Sequence, residues 1–220
     1  MDISEYIGTL YKDSKIDSFE ESIINYALAS EIPFLSKEKG RVLSMITRLK
    51  NPKKVLEIGL GSGYSTYIIL RGINKSSKLI SIDSNFFRVD AFYENIFKKL
   101  PNHLQTKLQV YPLNAFYVIE KLKEVEERFD MIFLDAGKRD YLEYLKNLVN
   151  LLNKGGVLVV DNITYLKQTF KEGDIKRSKN YLEGIKLTHQ ANIFMANLNN
   201  FETIFIPIGD GISISFKLQD

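Results

Sequence analysis

Apolar positions along this chain fall into two alternating rhythms. Short, nearly unbroken apolar runs are separated by longer stretches in which apolar residues recur every three to four positions. The pattern predicts strands at 54–58, 78–83, 107–112, 130–135 and 156–161, with helices at 63–72, 85–100, 114–127 and 140–152 between them. Strict alternation of this kind calls for a parallel sheet covered by helices on both faces. Two amphipathic helices come first. Residues 17–31 carry Phe19, Ile23, Ile24, Tyr26, Ala27 and Leu28 on a helical repeat behind a capping-box pair, Asp17 and Glu20. The next helix is capped by Ser36, presents Val42, Leu43, Ile46 and Leu49, and stops at Asn51-Pro52. The end of the chain breaks the rhythm: ETIFIPI and ISISFKL are joined by Gly209-Asp210-Gly211, a hairpin signal that turns the last strand antiparallel. The fold class is therefore α/β, one domain over 1–220, with leading helices in 1–50 and a seven-stranded, mostly parallel core in 53–220.

Composition narrows the chemistry. With 45% hydrophobic and 26% charged residues, the 220-residue chain has the make-up of a globular domain with a substantial core. Cysteine is absent, which removes disulfides, thiolate zinc sites and cysteine nucleophiles, and His103 and His189 are the only histidines. Residues 1–17 have neither a basic segment nor an apolar core, and no run has the length of a membrane helix, so the expectation is a cytoplasmic protein with no membrane partner. A net charge of +3 permits a polyanionic partner without requiring one.

The first strand ends in Glu57 and runs into Gly59, Gly61 and Gly63 before a helix opens. A buried parallel strand that breaks into glycines and reopens as a helix lets the backbone approach a ligand at the helix N-terminus. The spacing is not that of a dinucleotide fingerprint, whose third glycine would fall on Tyr64, and no phosphate-binding lysine follows the last glycine. In open parallel sheets ligands sit beyond the carboxyl ends of the strands. Glu57, Asp83, Asp135 and the pair Asp161-Asn162 all stand there. Asp83, 26 residues past Glu57, is placed to accept hydrogen bonds from a ribose. Asn114 can meet an adenine edge or cap its own helix, and Ser65 can bond a ligand or water. Asp135, Asp161 and Asn162 offer only oxygen, a donor set suited to Mg²⁺, Mn²⁺ or Ca²⁺ and not to zinc. Lys138 is the candidate base, its ammonium form disfavoured beside a dication.

LEIGLGSGYS, FDMIFLDAGKRDY, GGVLVVDN and PIGDGISIS, in that order, resemble the cation-dependent O-methyltransferases, which include catechol and caffeoyl-CoA methyltransferases and short bacterial relatives. The resemblance implies a Rossmann-like class I methyltransferase fold and S-adenosyl-L-methionine (SAM) as cofactor. It implies Asp135, Asp161 and Asn162 as cation ligands, Lys138 as base, and cofactor contacts at Leu35, Glu57, Gly59, Gly61, Ser65, Asp83, Asn114 and Ala115. Length, the I-P-F-L segment and the last motif are most similar to bacterial enzymes that methylate 5-hydroxyuridine in tRNA. Two departures stand out: Leu113-Asn114-Ala115 replaces Gly-Asp-Ala, and Ile163-Thr164-Tyr165 replaces an apolar-aromatic pair with a glycine.

The acceptor stays open between a tRNA 5-hydroxyuridine and a catechol-like small phenol. Lys167, Lys171, Lys176, Arg177 and Lys179 outnumber Glu172 and Asp174 just past Asn162, and form either a lip for an RNA backbone or a solvated face. A reading of another class is a non-catalytic SAM-binding or partner-binding module. The amphipathic leading helices and the family's habit point to a homodimer.

Overall fold

The structure is a computed structural model that describes residues 17–164 and 179–219 together with Tyr6, Thr9 and Leu10. Its elements are α1 (Ser18–Ala29), α2 (Lys37–Lys50), β1 (Lys54–Ile58), α3 (Tyr64–Gly72), β2 (Lys78–Ile82), α4 (Phe86–Asn95), the short α5 (Asn102–Gln105), β3 (Leu108–Tyr111), α6 (Ala115–Glu124), β4 (Phe129–Leu134), α7 (Tyr141–Leu151), β5 (Leu152–Asp161), α8 (Lys179–Ala196), β6 (Phe201–Ile206) and β7 (Ile212–Lys217). The strands form one sheet in the order β3-β2-β1-β4-β5-β7-β6. The first five are parallel, and β7 inserts antiparallel between β5 and β6. The alternating pattern and the closing hairpin are thus realised as expected.

Alternation along the strands splits the core in two. Met131 and Phe133 of β4 pack with Ile23, Leu43, Tyr64 and Phe92 from α1 to α4 on one face. Ile132 and Leu134 pack with Ile119, Tyr144, Leu148 and Met195 from α6 to α8 on the other. A residue step of one switches faces, so the pairing register is set by burial on both sides.

Three local readings change. The helix expected over 85–100 stops at Asn95, and Phe97–Lys99 tightens into a 3₁₀ turn. Pro101 forces Leu100 into extended backbone (ψ 144°), so no continuous helix can reach it. β5 starts at Leu152, four residues early, with a register shift against β4 between the Phe129 and Met131 pairs. On α2 the buried face is Lys39, Gly40, Leu43 and Thr47, whereas Leu49 is 79% exposed. A lysine therefore lies on a face that the apolar count assigned elsewhere.

α1 and α2 are tied to the first crossover helix. Asp17 caps α1 by accepting from the Phe19 and Glu20 amides at 3.1 and 2.8 Å. The Glu20 carboxylate does not close a capping box; it accepts from the Tyr64 hydroxyl at 3.1 Å and Arg71 at 2.9 Å. Gly40 lets α2 approach α3, since a Cβ there would lie 2.8 Å from the Tyr64 hydroxyl.

Candidate active site

The carboxyl ends of β1, β2 and β4 open on one cavity of about 470 Å³. Gly59, Gly61 and Gly63 all have positive φ, at 102°, 55° and 84°. At Gly59 the requirement is absolute: a Cβ would lie 1.9 Å from the Asp135 carbonyl oxygen, so the turn after β1 and the tip of β4 can meet only over a glycine. Asp83, buried at the tip of β2, accepts from the Gly61 amide at 3.1 Å through Oδ2 and from the Asn85 amide at 2.9 Å through Oδ1. Each oxygen keeps a lone pair for a ligand hydroxyl on the cavity side.

Of the twelve residues given a cofactor, cation or catalytic role in the sequence, Leu35, Gly59, Gly61, Ser65, Asp83, Ala115, Asp135, Lys138 and Asn162 line this cavity. Three do not. Asn114 caps α6, its Oδ1 accepting from the Phe116 amide at 2.9 Å, so the capping alternative is the one realised. Asp161 is 1% exposed and turned into a buried ion pair. Glu57 lies behind the glycine turn with no exposed surface, and its carboxylate collects the hydroxyls of Ser65, Thr66 and Ser81, each at 2.6 Å. It braces β1, β2 and α3 against one another and accepts from the Ser65 hydroxyl, so Glu57 does not reach the cavity, while Ser65, which lines it, meets a ligand as an acceptor.

Burial pushes the Glu57 carboxyl up to about 7, against the pull of its three hydroxyl partners and helped by the charge on Asp135. Below pH 4.5 both folded and unfolded chains hold the proton; between there and about 7 only the folded chain does, so stability falls as pH rises through that window. The expected loss is roughly 3 kcal/mol. Denaturant unfolding from pH 4 to 8 checks it: Glu57→Gln should flatten the profile, and an unchanged slope would refute the assignment.

The rim beyond β4 and β5 carries the charged cluster. Asn162 sits in left-handed backbone (φ 55°), which asparagine tolerates, and this turn aims its amide sideways. Its Nδ2 donates to Asp135 Oδ1 at 3.1 Å. Its Oδ1 accepts from Lys39 Nζ at 3.1 Å. Lys39 reaches in from α2 and also donates to Asp161 Oδ1 at 2.5 Å and to Asp210 Oδ1. Asp210 is held there by the β6–β7 turn, whose carbonyls at 210 and 211 accept from the Thr164 and Ile163 amides. Lys138 Nζ donates to the Tyr141 hydroxyl at 3.2 Å, which donates to the Asp161 carbonyl at 3.2 Å. Burial pushes the Asp135 carboxyl up to about 6, reinforced by Asp161 and opposed by Lys138 and Lys39. Burial lowers the Lys138 ammonium, against the pull of Asp135, Asp161 and Asp210.

The expected oxygen-only cation site is therefore not what these side chains make. Two of the three strand-tip groups meant for a dication, Asp161 and Asn162, meet the Lys39 ammonium, while Asp135 accepts from the Asn162 amide. A divalent ion does not fit beside that ammonium. Lys39 and Asp210 went unread in the sequence because they lie 122 residues before Asp161 and inside a hairpin turn. The available signal was a lysine in helical register with Leu43 and Thr47.

The O-methyltransferase family profile matches residues 14–218. Among curated proteins the chain is 29% identical over 189 residues to a caffeoyl-CoA O-methyltransferase of Medicago sativa, covering 84% of this chain and 74% of that one. It is 28% identical to caffeoyl-CoA O-methyltransferase 1 of Arabidopsis thaliana, covering 84% and 71%. Solved structures of the same fold include an O-methyltransferase from Bacillus cereus in complex with SAH (TM-score 0.79, 19% identity, 98% and 96% covered). TomG from Streptomyces achromogenes, in complex with SAM, has a TM-score of 0.80 at 21% identity with both chains fully covered. Family profile, curated relatives and sheet topology agree, and the chain belongs to the O-methyltransferase family.

Proposed function

We propose that this protein transfers the methyl group of SAM to the hydroxyl of a small aromatic acceptor. The observation that carries the reading is the convergence on one cavity of the glycine turn, the Asp83 carboxylate and the Asp135–Lys138 pair. The SAM and SAH complexes of the structural relatives support the cofactor, and the caffeoyl-CoA named for the curated relatives supports a phenolic acceptor. In this reading Asp83 accepts from the ribose hydroxyls, and Leu35 and Ala115 supply apolar contact to the adenine.

The chemistry needs little from the protein beyond placement and one proton acceptor, because the sulfonium methyl is already activated. Lys138 in its neutral form takes the acceptor's proton; the oxygen attacks the methyl in line, the O–C bond forms as the C–S bond breaks, and S-adenosylhomocysteine leaves. The expectation of Mg²⁺, Mn²⁺ or Ca²⁺ rests on the oxygen donors of Asp135, Asp161 and Asn162 and on the family resemblance, and proton removal by Lys138 does not require the ion.

The tRNA acceptor has less support. Lys167, Lys171, Lys176 and Arg177 lie outside the described residues, as does the side chain of Lys179. Leu28, Met45 and Leu49, left exposed on the leading helices, support a homodimer, which the mass in light scattering would check. No helix among the described residues is long and apolar enough to cross a membrane.

Methyl-labelled SAM, incubated with the protein against a panel of phenols and against tRNA carrying 5-hydroxyuridine, tests the reading. Label is expected on a phenol oxygen. SAM binding in calorimetry without turnover on any acceptor would favour the non-catalytic module, and label on tRNA would replace the acceptor class.

A further inference from the structure

We propose that the Lys39 ammonium permanently takes the place of a divalent ion, so that methyl transfer is metal-independent and the acceptor needs one hydroxyl, not two adjacent ones. The proposal rests on the O-methyltransferase reading and concerns how its acidic rim is neutralised.

An ammonium has three N–H donors and no acceptor. Lys39 spends all three, on Asp161 at 2.5 Å, Asn162 at 3.1 Å and Asp210. It is 2% exposed, and a charge so far from water persists only where it is paired. Its place in the chain opposes the local preference: with Ser36 as cap, Lys39 is the third residue of α2, where the helix dipole disfavours a cation. Three oxygen partners outweigh that end effect, so the tertiary site and not the helix accounts for the lysine.

The surroundings are shaped to admit it. Gly40 brings α2 against α3, and Gly209 leaves room for the stem, since a Cβ there would stand 3.3 Å from Lys39 Cε. Asn162 is the link to the cavity, its amide held at one end by Lys39 and at the other by Asp135.

The difference from an ion is chemical. A bound dication keeps open coordination positions that two neighbouring substrate oxygens can share. An ammonium with every donor used offers the acceptor nothing. Lys39 is thus a positioning residue that neutralises Asp161 and Asp210 and sets the Asn162 amide, while Lys138 and Asp135 face the acceptor hydroxyl from the cavity wall. Remove the amine, and oxygens from Asp161, Asn162 and Asp210 surround a vacated space of the hardness that Mg²⁺ or Mn²⁺ prefers.

Mn²⁺ binding followed by electron paramagnetic resonance tests this without an acceptor. The wild-type chain is expected to leave the free Mn²⁺ signal undiminished, and EDTA to leave both SAM binding and turnover unchanged. Lys39→Ala, and Lys39→Gln should the first variant fold poorly, is expected to bind one Mn²⁺ per chain with affinity raised roughly tenfold or more. One Mn²⁺ bound by the wild type, turnover lost in EDTA and restored by Mg²⁺, or a folded Lys39→Ala that binds no Mn²⁺ would each overturn the proposal. Calorimetric SAM binding keeps the two readings apart: its absence defeats the methyltransferase reading, whereas its presence beside wild-type Mn²⁺ binding defeats only the role given to Lys39.

Discussion

Lys138→Met is expected to slow methyl transfer by roughly 10²–10⁴-fold while SAM binding and melting temperature change little. Methionine keeps an apolar stem beside the Tyr141 ring, over which the Lys138 amine stands 4.7 Å from the centroid, so packing survives and the proton acceptor does not. Burial favours the neutral amine, whereas Asp135, Asp161 and Asp210 favour the ammonium. Burial is the larger effect, so the amine sheds its proton at lower pH than a solvated lysine would. Wild-type turnover should accordingly rise with pH as Lys138 becomes neutral, and that limb should vanish in the variant. Single-turnover rates across the alkaline range check it. A variant that keeps both its rate and its pH dependence would remove Lys138 as the base.

What the sequence shows plainly are the parts of the site built within one βα unit. The step from β1 into Gly59, Gly61 and Gly63, and the acids that close the apolar runs at Asp83, Asp135 and Asp161, follow from strand ends and turn chemistry over a few residues. Direction is harder to read than position. Glu57 ends the same run, yet its carboxylate turns inward because Ser81, 24 residues on, completes a set of hydroxyls behind the turn. Hidden altogether are contacts assembled by the sheet order. Inserting β7 between β5 and β6 brings the 209–211 turn to Asn162, and packing α2 on α3 brings Lys39 to the same point. Periodicity counts apolar residues, so a lysine on the buried face of α2 passes as noise until the fold supplies its three acceptors.

Asp161→Ala is expected to cost the most stability of any change at the rim, about 3–5 kcal/mol, or roughly 6–20 °C in melting temperature for a chain of this size. Lys39 and Asp161 are 2% and 1% exposed, so water can compensate neither when the other is lost. Asp210 keeps its own bond to Lys39 but, with its side chain 40% exposed, makes up only part of the loss. The two partners are not equivalent. A buried carboxylate left alone can take up a proton, and burial already pushes the Asp161 carboxyl upward more than Lys39 pulls it down. Lys39→Met should therefore cost less than Asp161→Ala, and the double variant should be more stable than Asp161→Ala alone, because the second change removes an ammonium that has lost its only fully buried anionic partner. A double-mutant cycle by denaturant unfolding measures that coupling. If the two losses simply add, the buried pair is not the unit that holds α2 to the tip of β5.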